Sequence, residues 1–166
     1  MDKYFIGIDP GKSGAFAVID SMANIHTLED WPGDEVQAAR RIRFFLDTIG
    51  FDLTNVGGAI EKVSAMPKQG VRSMFTFGCN YGIWKGILAA LEIPFQDVTP
   101  QAWQKGVVSK KQDGKKANVA AAGRMFPSAE LYGPRGGAKD GRADALLIAD
   151  WARRNFSTNS IKKPRR

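Results

Sequence analysis

The residues from Tyr4 to Ile19 restrict the fold more than any other stretch of the chain. Tyr4 to Ile8 is a short apolar run of the length a buried strand needs. Pro10-Gly11 and Ser13-Gly14 are turn residues, and Gly14 to Ile19 is apolar again. The pattern predicts strand, tight turn, strand. Asp9 then sits where a buried strand ends and the turn begins. A carboxylate there is costly unless it is neutralised. On these residues alone two partners stay open: the backbone N–H groups of the turn, or a metal ion.

The chain of 166 residues suits one core. A single domain is expected over 1–156, followed by a basic, disordered tail over 157–166. No apolar run is long enough to cross a bilayer. The longest candidate, Gly82 to Phe95, is interrupted by Lys85 and Glu92. The first residues run straight into a strand and show no signal peptide. One cysteine, Cys79, excludes an internal disulfide and fits a reducing compartment. The expected location is the cytoplasm of a bacterial or phage-infected cell, with an organelle as the alternative. Cys79 is expected to be a small packing residue in an apolar helix.

The net charge of +7 asks for an anionic partner, nucleic acid before a membrane surface. Its placement says more than its size. Between Gln101 and Arg124 six basic residues (Lys105, Lys110, Lys111, Lys115, Lys116, Arg124) face one acidic residue, Asp113.

Ile25 to Leu28 continues the hairpin as a third strand. Asp34 caps an amphipathic helix whose apolar positions are Ala38, Ile42, Phe45, Leu46 and Ile49, stopped at Gly50. A buried strand runs from near Val56 to Glu61, and Lys62 to Gly70 is a polar loop. A long helix follows, its stripe made by Met74, Phe77, Tyr81, Trp84, Leu88 and Leu91. Gly78, Gly82 and Gly86 fall four apart on another face, each at a cost of roughly 1 kcal/mol in helix propensity. They suggest close approach by a neighbour, the sheet being favoured over a second subunit. Ile93 to Val98 is a fifth strand, and Pro100 opens a short helix through Trp103. Helical character over Lys115 to Met125, a Gly-rich loop over Leu131 to Lys139, and a last helix from Asp140 to Arg153 complete the chain. The expected fold is α/β, with a mixed five-stranded sheet: an antiparallel three-strand meander, then parallel strands, flanked by helices.

Asp140 and Asp144 share a face of the last helix. Asp9 and Glu61 end strands. Acids gathered at adjacent strand ends and a helix start would repel one another and raise their pKa values unless divalent cations offset the charge. An all-oxygen donor set suits Mg²⁺ or Mn²⁺. Two such ions would activate a water and stabilise the leaving oxygen in phosphodiester hydrolysis. His26, the one histidine, lies in a strand and is not expected to be a ligand.

The ordered series Gly7-Ile8-Asp9-Pro10-Gly11, Ile60-Glu61, Thr99-Pro100 and Ala143-Asp144-Ala145-Leu146 resembles RuvC-type Holliday junction resolvases, of the RNase H-like superfamily. The resemblance spans Phe5 to Trp151. It implies a homodimer that binds a four-way DNA junction and cuts two strands symmetrically with Mg²⁺ or Mn²⁺, in recombination and repair. It carries Asp9, Glu61 and Asp144 over as metal ligands. The family's fourth ligand lies three residues before the last, where this chain has Gly141, and Asp140 is the substitute. Lys68 to Phe77 resembles the junction-facing element, with Lys68, Gln69 and Arg72 as DNA contacts and Phe75 as the candidate wedge or, equally, a core residue. Lys105 and Lys116 resemble the basic residues that meet scissile-strand phosphates, with Lys116 also steadying transition-state charge. Lys110, Lys111 and Lys115 are further DNA-binding candidates.

Two other classes are compatible with parts of the sequence. Actin- and sugar-kinase-type ATP-using enzymes also begin Gly-Ile-Asp-x-Gly, although this chain lacks a second half of that kind. A catalytically inactive junction-binding protein would share the basic surface and omit the chemistry.

Overall fold

The computed structural model describes residues 2–50, 52, 54–62, 70–108 and 114–156. Its elements run β1 (Tyr4–Asp9), β2 (Ala15–Asp20), β3 (Ile25–Asp30), α1 (Glu35–Ile49), β4 (Val56–Glu61), α2 (Val71–Ala90), β5 (Phe95–Val98), α3 (Pro100–Gln104), α4 (Gly114–Met125) and α5 (Asp140–Asn155). The strands form one sheet in the order β3-β2-β1-β4-β5. The β1-β2 and β2-β3 pairs are antiparallel, and β1-β4 and β4-β5 are parallel. This is the expected meander followed by parallel steps, with β5 beginning two residues later than the apolar run suggested.

Strand alternation sorts the side chains into two layers. Ile6, Ile8, Phe16, Val18 and Ile60 pack with α1 and α2 residues such as Ile42, Leu46, Trp84 and Leu88. Phe5, Ala15, Ala17, Ile19 and Ala59 pack with Trp103, Val119, Leu146 and Ala149. Burying each large aliphatic side chain is worth about 1.5–3 kcal/mol. Where α5 crosses β1 the facing residues, Gly7, Ala145 and Ala149, are small for a reason. A Cβ on Gly7 would lie 2.1 Å from the Ala145 carbonyl oxygen, so α5 rests on β1 at the closest approach a backbone allows.

Helix α1 has the expected punctuation. The Asp34 carboxylate accepts the Gln37 N–H at 2.8 Å, and Gly50 closes the helix at φ 62°. Two expectations on α2 are corrected. Among the described residues, a Cβ on Gly78, Gly82 or Gly86 would meet nothing within 4 Å, so no described element packs on that line. Cys79 is exposed rather than a packing residue. Both follow from the direction of α2, whose buried side is carried by Asn80, Trp84 and Leu88. The expected basic tail over 157–166 lies outside the described residues. Among the described residues, no helix is long and apolar enough to cross a membrane.

Candidate active site

Register places the first two acids. Ile8 pairs with Ile60 in the parallel β1-β4 ladder, so Asp9 and Glu61 leave adjacent strands at the same edge. Odd-numbered residues of both strands face α5, as Phe5 and Ala59 do, and Asp9 and Glu61 share that parity. Helix α5 begins over the same edge. A Cβ on Gly141 would lie 2.2 Å from the Ser13 carbonyl oxygen, in the turn that follows Asp9. The position where the resembling family carries a fourth ligand therefore has no room for a side chain. Asp140 and Asp144, on either side of this contact, are the acids α5 brings to the strand ends.

The four carboxylates act on one another. Burial raises the pKa of Asp9, helped by the charge of Asp140 and opposed by the Gly11 N–H and Lys115. Burial and then the charge of Asp9 push Glu61 up to about 7. Asp144 is pushed up to about 8 by burial, then by Asp9, with Glu61 and Asp140 adding to it. Carboxylates so displaced mark a site with too little positive charge for its acids. Among the described residues the cation placed with them is Lys115, which is ion-paired with Asp140 and also lies in the fields of Asp144 and Asp9.

Each acid is also held by its own neighbour. The Gly11 N–H donates to Asp9 Oδ1 at 2.9 Å, so the turn does cap Asp9. Trp103 Nε1 donates to Glu61 Oε2 at 3.3 Å. Asn118 Nδ2 donates to Asp144 Oδ1 at 2.7 Å. With the acids drawn to separate partners, no group of three or more His, Cys, Asp or Glu among the described residues is arranged around a single ion-binding point. The donor set itself is all carboxylate oxygen, which fits a hard divalent cation. For Asp9, Glu61 and Asp144 the bond takes one oxygen and leaves the other.

The DNA-binding expectations divide. Arg72 joins Lys12, Ser73, Thr76 and Lys115 around a cleft of about 760 Å³ beside the acids. Phe75 is 74% exposed, which removes the core alternative for it. Lys105 is exposed directly after α3, and Lys116 is exposed on α4 beside Lys115. It is Lys115, and not Lys116, whose ammonium pairs with an acid of the site. Lys68, Gln69, Lys110 and Lys111 lie outside the described residues. His26 is bonded to Asp20 at the far end of the hairpin. The sequence reasoning passed over Trp103, Asn118 and Lys12. A signal existed for Asn118, which is 5% exposed in an Ala-rich helix and so needs a polar partner.

No protein-family model matches the chain. The solved structure of Thermus thermophilus RuvC in complex with Holliday junction substrate superposes with a TM-score of 0.59 at 14% identity, covering 90% of this chain and 92% of that one. The fold is that of RuvC. A second structure of T. thermophilus RuvC agrees, with a TM-score of 0.58 and 15% identity over 91% of this chain and 95% of that one. In sequence, the chloroplastic Holliday junction resolvase MOC1 of Chlamydomonas reinhardtii is 30% identical over 95 residues, 57% of this chain. This chain spans 11% of the length of that relative. The RuvC fold accounts for the strand order and for α5 lying across β1.

Proposed function

We propose that the protein is a divalent-metal-dependent endodeoxyribonuclease that resolves four-way DNA junctions by paired, symmetric nicks. The observation that carries this reading is the gathering of Asp9, Glu61, Asp140 and Asp144 on a RuvC fold, where burial first and neighbouring acid charge second raise Glu61 and Asp144 to about 7 and 8.

Asp9, Glu61 and Asp144 would hold Mg²⁺ or Mn²⁺, two ions in each active site, with Asp140 as the fourth donor. When bound, the ions would supply an activated water and charge stabilisation at the phosphodiester. The residues of the chain do the rest. Asp9 and Glu61 project from the rigid edge of the sheet, and Asp144 from a helix packed on it, so their oxygens enter the site preorganised. Lys115, which pairs with Asp140 at the mouth of the site, would be the cation nearest a phosphate oxygen held there. Lys12 and Arg72 line the cleft through which the backbone of a bound strand would run. Lys116 extends the same positive rim beside Lys115, Lys105 is a further phosphate contact, and the exposed Phe75 meets unpaired bases.

A homodimer completes the proposal, because two symmetric nicks need two sites. The open Gly78, Gly82 and Gly86 line of α2 and the exposed Val71 support it. The nucleic acid of a bacterial, phage-infected or organellar compartment is the substrate this implies.

The test is incubation with labelled four-way junction, fork and linear duplex DNA, with and without Mg²⁺. Paired nicks across the junction alone, dependent on the metal, are expected. Junction binding without nicks in Mg²⁺ or Mn²⁺ would overturn the enzymatic reading.

A further inference from the structure

Two neighbouring residues of α3 reach two different acids of the site. Trp103, 1% exposed, donates Nε1 to Glu61 Oε2 at 3.3 Å. Gln104 donates Nε2 to Asn118 Oδ1 at 3.4 Å, and Asn118 in turn donates Nδ2 to Asp144 Oδ1 at 2.7 Å. The three side chains come from α3 and α4, and the acids from β4 and α5. The bonds therefore tie together α3, α4, β4 and α5, four of the elements that meet at the site.

The direction of donation is informative. An indole N–H only donates, so Oε2 is the accepting oxygen of Glu61 and any proton on this carboxyl sits on the other oxygen. The Asn118 amide is oriented by its other partner. Its oxygen accepts from Gln104, which leaves its NH₂ group for Asp144. Each bond occupies one carboxylate oxygen and fixes the torsion that aims the second. Both donors are held in packed surroundings, Trp103 in the core and Asn118 at 5% exposure. Structural packing alone does not require these contacts. Trp103 fills its place by its ring, and a leucine at 118 would suit the Ala-rich face of α4.

We propose that Trp103, and Gln104 acting through Asn118, are positioning residues that aim the free oxygens of Glu61 and Asp144 at a shared divalent cation. The inference rests on the metal-dependent reading above. Partners of this kind, one bond removed from a metal, change its affinity by about 10–100-fold when mutated.

The experiment is Mn²⁺ titration by calorimetry of the whole protein, wild type against Trp103→Phe, Asn118→Leu and Asn118→Gln. Thermal melts identify the folded variants. Junction binding in EDTA is measured on the same samples by fluorescence anisotropy. Trp103→Phe and Asn118→Leu are expected to weaken Mn²⁺ at least tenfold while EDTA binding changes less than about twofold. Asn118→Gln, which keeps an amide donor, is expected to recover most of the loss. Folded variants with wild-type Mn²⁺ affinity would overturn the inference alone. Equal losses of Mn²⁺ and of metal-free junction binding would overturn it as well, by showing a general structural effect. A wild type that takes up no Mn²⁺ would overturn the metal reading and this inference with it. Should Trp103→Phe fail to fold, the inference is judged on the Asp144 arm alone, with Gln104→Leu added to Asn118→Leu because Gln104 is part-buried and acts through Asn118.

Discussion

Gly141 faces the carbonyl oxygen of Ser13 so closely that a methyl group in its place would lie 2.2 Å from that oxygen. The contact seats the first turn of α5 on the β1-β2 turn. It also sets the distance of Asp140 and Asp144 from Asp9. Backbone atoms line both sides, so nothing there can rotate away. Gly141→Ala should therefore cost about 2 kcal/mol or more in urea denaturation, the usual scale of forced overpacking. Gly141→Asp, which writes the family's fourth acid into the chain, should be worse still and gain no activity. An alanine variant as stable as the wild type would show that α5 is free to lift.

The raised acids give the fold a pH signature. Unfolded, Glu61 and Asp144 ionise in the ordinary carboxylate range near 4, and folded, at about 7 and 8. Below the unfolded values both states are protonated, and the two acids do not oppose folding. As pH rises from about 4 to 8 the unfolded chain gives up these protons first, so stability is lost across that window. Asp20 has the opposite sign. Its hydrogen bonds, working against a desolvation cost, bring it down to about 2, so its contribution fades as pH falls from about 4 to 2. Melting temperature in EDTA should thus peak near pH 4–5 and decline towards 8. Mg²⁺ should recover stability most at the alkaline end and release protons on binding. A flat profile from pH 5 to 8 in EDTA would contradict the displaced values.

Asp144→Asn separates binding from chemistry. The amide keeps the size of the carboxylate and removes its charge. Junction binding should be kept while cleavage is lost. In EDTA at pH 8 the variant should melt above the wild type, because a buried charge has been removed from a crowded acidic site. Full retained cleavage would reject Asp144 as a ligand.

Phe75 lies outside the core, so its loss should not disturb the fold. Phe75→Ala should change stability by no more than about 0.5 kcal/mol. The fluorescence rise of 2-aminopurine placed at the centre of a bound junction should fall. An unchanged fluorescence response would move the wedge to another residue.

Much of this was legible in the sequence. Strand periodicity around Asp9 and Glu61, and the turn residues between Pro10 and Gly14, are local properties. They give the sheet its meander and put an acid at each strand end. The capping of α1 by Asp34 and Gly50 is equally local. The misreadings on α2 were of a different kind. A glycine line is the same in sequence whether a neighbour covers it or solvent does, and only the position of the helix in space decides which.

The ordered acids, the basic segment and the strand pattern were determined by the sequence alone, because each depends on residue type and spacing within a few positions. That Glu61 lies beside Asp9, that Gly141 can bear no side chain, that Lys115 answers Asp140, and that Trp103 and Asn118 hold Glu61 and Asp144 were decided only by the tertiary structure. These are contacts between distant parts of the chain. Their distances are set by how closely α5 settles on the glycine and alanine face of the sheet.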